Sequence, residues 1–316
     1  MHLGQEIASF FNRYGEVGAC GIVIASLLFA CIVFYVLNII DKKEINTYNE
    51  LINDNKLIKF FEQAFLLVCF CIMIAGIGAF FEEQFGIAHC IGALVGGLVC
   101  FLVFLYKYKG LEVFNLVLVP FIIIGILLVG VGKYDLNALD NIKYTMHNSF
   151  TNSFFISSML YVGYNSLVLI PITVNLKRYS LTNKQKACVA IGSFAILCLV
   201  GLAVYRAINL FFPQIMVFEL PTLKLAKMLG DIQGYLYGII ILFAIFTTAV
   251  SCGFAFLEID EKNYMMKNIL LCIAGFVLSN IGFSELVNTL FPIFGYVGIL
   301  FIVIIIYCAH SRNKKE

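Results

Sequence analysis

Apolar residues fall in nine long runs along this chain, at 18–40, 64–81, 87–106, 113–132, 149–176, 187–205, 232–257, 268–284 and 286–309, and charge gathers between them. A run of about 18 or more apolar residues is the length a helix needs to cross a hydrocarbon core roughly 30 Å thick. Inside a bilayer only helices and closed barrels satisfy every backbone polar group. These runs are too continuous for barrel strands, which are roughly ten residues long and alternate in polarity. The pattern therefore predicts an all-α polytopic membrane protein, with residues 1–316 forming a single integral membrane domain.

Composition agrees: 61% of residues are hydrophobic and 13% charged, against about 25% charged in a soluble domain. Alternate loops differ in charge. One set holds Lys42, Lys43, Lys56, Lys59, Lys107, Lys109, Lys177, Arg178, Lys184, Lys186, Lys262, Lys267, Arg312, Lys314 and Lys315. The other holds Arg13, Lys133, Lys143, Arg206, Lys224 and Lys227. The excess of Lys and Arg marks the cytoplasmic side. The expectation is a multi-pass protein of the cell (cytoplasmic) membrane with a cytoplasmic C-terminus. The segment before the first full span would lie outside or emerge from within the membrane. A net charge of +2 gives no reason to expect a nucleic-acid partner; the apolar runs make the lipid bilayer the expected contact.

Eleven cysteines lie in or at the edges of the apolar runs, and the four histidines are scattered at 2, 89, 147 and 310. Cys69 and Cys71 point to different faces of a helix. Cysteine as a small hydrophobe is the simpler reading, and these residues give no reason to expect a metal or cofactor. No nucleophile stands beside a base and no phosphate-binding Gly-rich loop occurs, so an enzyme is not expected. The N-terminal MHLGQEIASFFNRYG lacks the basic region and apolar core of a cleavable signal.

The run 149–176 holds Gly163, Tyr164 and Asn165 at its centre and Pro171 after them. Two readings fit. In one the helix unwinds here, and the freed backbone groups bind a solute and an ion, as in transporters with discontinuous helices. Gly163 would then permit the turn and Asn165 would offer a donor and an acceptor, with Tyr161 and Tyr164 walling the pocket. In the other it is a proline-kinked helix with Asn165 bonded to a neighbour. Weak internal symmetry bears on the choice. Arg13-Tyr14-Gly15 leads into Ala19-Cys20 and a span, and Arg178-Tyr179-Ser180 leads into Ala187-Cys188 and a span, on the opposite side. Inverted repeats of about 1–143 and 144–316 would produce such a match.

GQEIASFFNRYGEVGACGI, YVGYN, ELPTLKLAKMLG, AIFTTAVS and GFSELVNTLFPIFGYVGI, in that order over nearly the whole chain, resemble the YkvI-like family of bacterial membrane proteins. That family is grouped with the amino-acid permeases of the amino acid–polyamine–organocation superfamily. The resemblance implies a LeuT-type fold of two inverted groups of five helices, with the first and sixth broken at the substrate site. It implies secondary active transport of a small amino acid or similar amphoteric solute by alternating access, coupled to sodium or protons. The family carries a glycine-rich stretch before GQE that this sequence lacks, so the first helix is expected only as its outer part, Gly4–Tyr14, with nine complete spans. The substrate would meet Gly4, Gln5, Glu6, Tyr161, Gly163, Tyr164 and Asn165. In Ala244-Ile245-Phe246-Thr247-Thr248 the resemblance implies a sodium site, with the Ala244 carbonyl and the Thr247 and Thr248 hydroxyls as ligands; hydroxyls bonded back to their own turn are the alternative. A non-transporting receptor or assembly subunit on the same fold, like the germinant-receptor membrane subunits, is the competing function.

Ionisable residues in a bilayer are functional candidates. Glu6 follows the presumed first break, and Glu62 sits one turn inside its helix near Lys59; both are candidates for proton coupling, though Glu62 and Glu112 lie near the surface, where a snorkelling or ion-paired role suits them. Glu285, Asn280 and Asn288 are expected in contact with water. Asp41–Lys59 suits an amphipathic surface helix, and Pro221 and Gly230 bound a short helix in the longest outer segment.

Overall fold

The computed structural model describes residues 3–45, 47–52, 54–106, 111–139, 151, 153–176, 180–258 and 263–311. The described residues fold as helices: α1 Leu3–Phe10, α2 Val17–Lys42, α3 Tyr48–Leu51, α4 Lys56–Phe85, α5 His89–Leu105, α6 Leu111–Val131, α7 Phe154–Asn175, α8 Asn183–Asn209, α9 Pro221–Leu229, α10 Asp231–Glu258, α11 Tyr264–Ser279 and α12 Phe283–Ser311. The apolar runs fall on α2, α4, α5, α6, α7, α8, α10, α11 and α12, with the run 268–284 reaching past α11 into the start of α12. Among the described residues six of them (α2, α4, α7, α8, α10 and α12) are long and apolar enough to cross a membrane; α5, Val117–Val131 within α6, and α11 are shorter apolar stretches. Six helices among the described residues thus reach the length of a membrane span, where the sequence predicts nine complete spans.

The chain divides into two compact units that interleave in sequence. The first comprises Met1–Arg13, Leu66–Asn148 and Leu202–Thr289; the second comprises Tyr14–Phe65, Ser149–Gly201 and Leu290–Glu316. Helices α4, α8 and α12 each contribute a part to both.

In the first unit α10 packs on α5, α6, α9 and α11, and α11 packs on α5. Small residues let α5 and α11 approach α4. A methyl group at Gly92 would lie 2.7 Å from Phe81 Cβ, and one at Gly275 2.8 Å from Phe70. The short α1 is packed within the unit, with Ile7, Ala8, Phe10 and Phe11 at most 3% exposed. Asn12 Nδ2 donates to the Tyr205 carbonyl at 3.0 Å, and Ser9 Oγ donates to Asn288 Oδ1. Asn288, expected in water, is thus tied to α1. Helix α9 starts at Pro221 and ends at Gly230, whose φ of 144° suits a residue without a side chain. Leu220, Leu223 and Leu225 beneath it are buried.

Two carboxylates fasten this region. Glu83 Oε1 accepts from the backbone N–H of Glu219 at 2.6 Å and of Leu220 at 3.2 Å, capping the entry to α9. Glu219 in turn accepts from the Ser284 N–H at 2.5 Å, at the start of α12. Lys227 Nζ donates to the Glu83 carbonyl. Burial lowers the Lys227 ammonium below its usual range against the opposing pull of Glu83.

In the second unit α2 lies along α7, and Ser158 Oγ donates to the Gly21 carbonyl at 3.0 Å. The amphipathic helix expected in Asp41–Lys59 is a single turn, α3, with the Thr47 hydroxyl accepting from the Glu50 N–H. Ile45, Leu51 and Ile52 are buried around it. Asp41 pairs with Lys186, and Lys59 with Asp54 at 2.7 Å. Gly15 and Ser180, matched in the two sequence motifs, both have left-handed backbones, with φ of 57° and 48°; Arg178 and Tyr179 lie outside the described residues.

Candidate functional site

In the second unit, the break expected at Gly163-Tyr164-Asn165 is absent. Helix α7 runs without interruption from Phe154 to Asn175, with Pro171 inside it. Gly163 serves close packing. A methyl group placed there would strike the Gly295 carbonyl of α12, and one at Gly298 would strike the Gly163 carbonyl. The two helices therefore cross backbone against backbone, which only small residues permit. Tyr164 is 2% exposed and stacks on Phe291, with ring centroids 4.5 Å apart and planes at 17°. Tyr161 meets Tyr164 edge-on at 5.6 Å and Phe29 at 5.9 Å. These aromatics pack on one another. Asn165 Nδ2 donates to the Tyr161 carbonyl one turn back at 2.9 Å, a bond within its own helix and not to a neighbour.

Glu62, in the same unit, is half-buried beside Tyr48. Burial first, and the facing Glu62 charge second, push the Tyr48 phenol far above its usual range. This contact ties α4 to the α3 turn and gives Glu62 a local structural role.

In the first unit the predicted residues divide. Gln5 is 1% exposed, and neither its Oε1 nor its Nε2 has a hydrogen-bond partner among the described residues. A buried polar group left in this condition costs about 1–3 kcal/mol. Glu6 is half-buried, within electrostatic reach of the Cys69 thiol of α4. Gly4 is buried against Thr222 of α9, where an added methyl would lie 2.7 Å from Thr222 Cγ2.

Gly4 and Ala244 line one small cavity with Thr222, Tyr237, Ile122 and Ile126, among others. Its volume is about 10 Å³, room for a single water and far below the roughly 300–1,000 Å³ of a small-molecule site. Thr222 and Tyr237, whose side chains meet here, were not among the sequence candidates. Nothing in their local sequence distinguishes them; the fold alone assembles them.

The three oxygens of the candidate sodium site do converge. Thr248 Oγ1 donates to the Ala244 carbonyl at 2.7 Å and Thr247 Oγ1 to the same carbonyl at 3.2 Å. Both hydroxyls are bonded back to their own turn, the alternative reading of this motif. They also form a compact set of neutral oxygens of the kind a hard cation accepts. Among the described residues no group of three His, Cys, Asp or Glu is placed to hold a metal ion. The described cysteines are free thiols, and Cys69 of α4 meets Cys252 of α10. The side chains of Glu112 and His310, and all of His2 and His147, lie outside the described residues.

Over 99% of its length the chain is similar to the uncharacterized membrane protein YkvI of Bacillus subtilis (strain 168), with 24% identity over 330 aligned residues that cover 92% of that protein. No family model matches the chain. Its apolar helices and this similarity together identify a multi-pass membrane protein in contact with the lipid bilayer.

Proposed function

We propose that this chain is a secondary active transporter of a small amino acid or similar amphoteric solute, driven by a sodium or proton gradient across the cytoplasmic membrane. The observation that carries the reading is Gln5. A carboxamide buried in a membrane protein with both ends unpaired is costly in isolation, and a polar solute would supply the missing partners. Gly4 and Glu6 flank it on the same short helix, and Glu6 offers a negative group for an ammonium or a proton. The converging oxygens of Ala244, Thr247 and Thr248, in the same unit, are the proposed sodium ligands. The 10 Å³ cavity at Gly4 is too small for an amino acid, so the arrangement described here is a closed one that must widen to admit solute.

A second reading is a subunit that binds solute without cycling. The anchoring of α1 by Ser9 and Asn12 favours it. Proteoliposomes separate the two. The full chain, given radiolabelled amino acids under an inward sodium or proton gradient, should accumulate at least one of them, and Gln5→Leu should abolish the accumulation. Solute-induced stabilisation without accumulation would establish the binding subunit instead. Neither response would refute both.

A further inference from the structure

Within the second unit, α2, α7 and α12 enclose a groove of about 570 Å³. One wall is a face of α2, where Leu28, Cys31, Ile32, Tyr35, Ile39 and Lys42 recur at helical spacing. The other walls are Ile170 of α7 and Ile302, Ile305 and Ile306 of α12. Nearly all of this surface is apolar until the end of α2, where Asn38 and Lys42 complete the lining.

The dimensions match one leaflet of a bilayer. From Leu28 to Lys42 the helix rises about 21 Å at 1.5 Å per residue. Half of a hydrocarbon core roughly 30 Å thick is about 15 Å, with the headgroup region beyond it. An acyl chain lying along the groove would therefore carry its headgroup to the level of Lys42.

Charge at that end is positive. Lys42 is exposed, and among the described residues neither Lys42 nor Lys43 has a carboxylate partner. The Lys43 ammonium is buried without a hydrogen-bond partner among them. Of the neighbouring acids, Asp41 is taken up by Lys186 and Glu44 is exposed with a left-handed backbone. An apolar groove alone would accept any lipid chain. A groove that ends at Lys42, next in sequence to a second lysine that also lacks a carboxylate partner among the described residues, selects by headgroup.

We propose that this groove is a binding site for an anionic phospholipid, with an acyl chain along the face of α2 from Leu28 to Ile39 and the headgroup phosphate on Lys42 beside Lys43. The site is independent of the transport reading, since it uses none of the residues assigned to solute or ion.

The test uses the full chain, stripped of lipid in detergent and reconstituted in nanodiscs of phosphatidylcholine and phosphatidylglycerol in equal parts. Lipid retained on re-extraction is identified by mass spectrometry. Phosphatidylglycerol should be retained over phosphatidylcholine by about fivefold or more, the effect of one lysine near a membrane surface. Lys42→Gln, at an exposed position that leaves the fold intact, should bring the ratio close to one. Ile302→Trp, which fills the groove, should remove retention of both lipids; if that variant does not fold, Cys31→Trp fills it from the opposite wall. Equal retention of the two lipids by the unaltered chain would overturn the proposal, as would a preference unchanged in Lys42→Gln. A dimer in the nanodisc with no retained lipid would make the groove an interface between copies, and would overturn it equally.

Discussion

Helix α7 around Gly163 and helix α1 around Gln5 carry the same conspicuous residue types, a glycine and a side-chain amide in apolar surroundings, and the fold uses them in opposite ways. On α7 the glycine admits the α12 backbone, the tyrosine stacks on Phe291 and the asparagine bonds the Tyr161 carbonyl. Each of these three makes a packing or hydrogen-bond contact within its own unit. On α1 the glycine likewise admits a neighbour, Thr222, but the next residue buries a carboxamide whose two ends meet no partner among the described residues. The lesson is that a polar residue in a membrane helix points to function through what its surroundings leave unmet, not through its identity. A Gly-Tyr-Asn sequence and a Gly-Gln-Glu sequence look equally suggestive until the hydrogen bonds are assigned.

The comparison breaks first at Gly163. Gly163→Leu should leave no monodisperse protein by size-exclusion chromatography, because the side chain has only the Gly295 backbone to occupy. Gly192→Leu, at a glycine with nothing within 4 Å of an added methyl, should purify normally. A well-behaved Gly163→Leu protein would show that α7 and α12 do not cross there. Next in size, Tyr164→Ala should cost about 3–5 kcal/mol in thermal or denaturant unfolding, as for other buried aromatics, while Tyr164→Phe should cost much less because the stack on Phe291 remains. Gln5→Leu should move the other way. Removing an unmet buried amide should leave stability unchanged or raise it by about 1–3 kcal/mol, with uptake lost. Smallest is Asn165→Ala, which removes one half-exposed bond within a helix and should cost about 1 kcal/mol or less with uptake intact. A transport-dead, stable Asn165→Ala protein would restore α7 to the solute site.

The helices themselves were legible in the hydropathy, their ends much less so. Hydropathy marks what lipid tolerates, whereas a helix continues wherever the backbone bonds continue. Helix α4 thus extends beyond the run 64–81 to Lys56 and Phe85, taking in Lys59, Glu62, Glu82 and Glu83. Conversely, the run 268–284 joined α11 to the start of α12. The turn between them is short, and Gly282, with φ 98° beside the Glu219 carboxylate, was its one signal. Pro221 and Gly230 bounded α9 as expected because caps are local chemistry. The capping of α9 by Glu83 and of α12 by Glu219 was not legible, since each joins residues far apart in sequence. The same holds for the site: the Ala244, Thr247 and Thr248 oxygens follow from helical spacing, but Thr222 and Tyr237 reach Gly4 only through the packing of α9 and α10.

The account rests on Gln5 being a ligand group and not a structural one. Thermal unfolding of the full chain and of Gln5→Leu, each with and without a saturating amino-acid mixture in sodium buffer, tests this directly. The account predicts that the mixture stabilises the unaltered chain, by about 2.7 kcal/mol at a hundredfold excess over the dissociation constant. It predicts that Gln5→Leu is at least as stable without solute and does not respond to it. A Gln5→Leu protein that is destabilised and still responds to the mixture would contradict it, and would make Gln5 part of the scaffold.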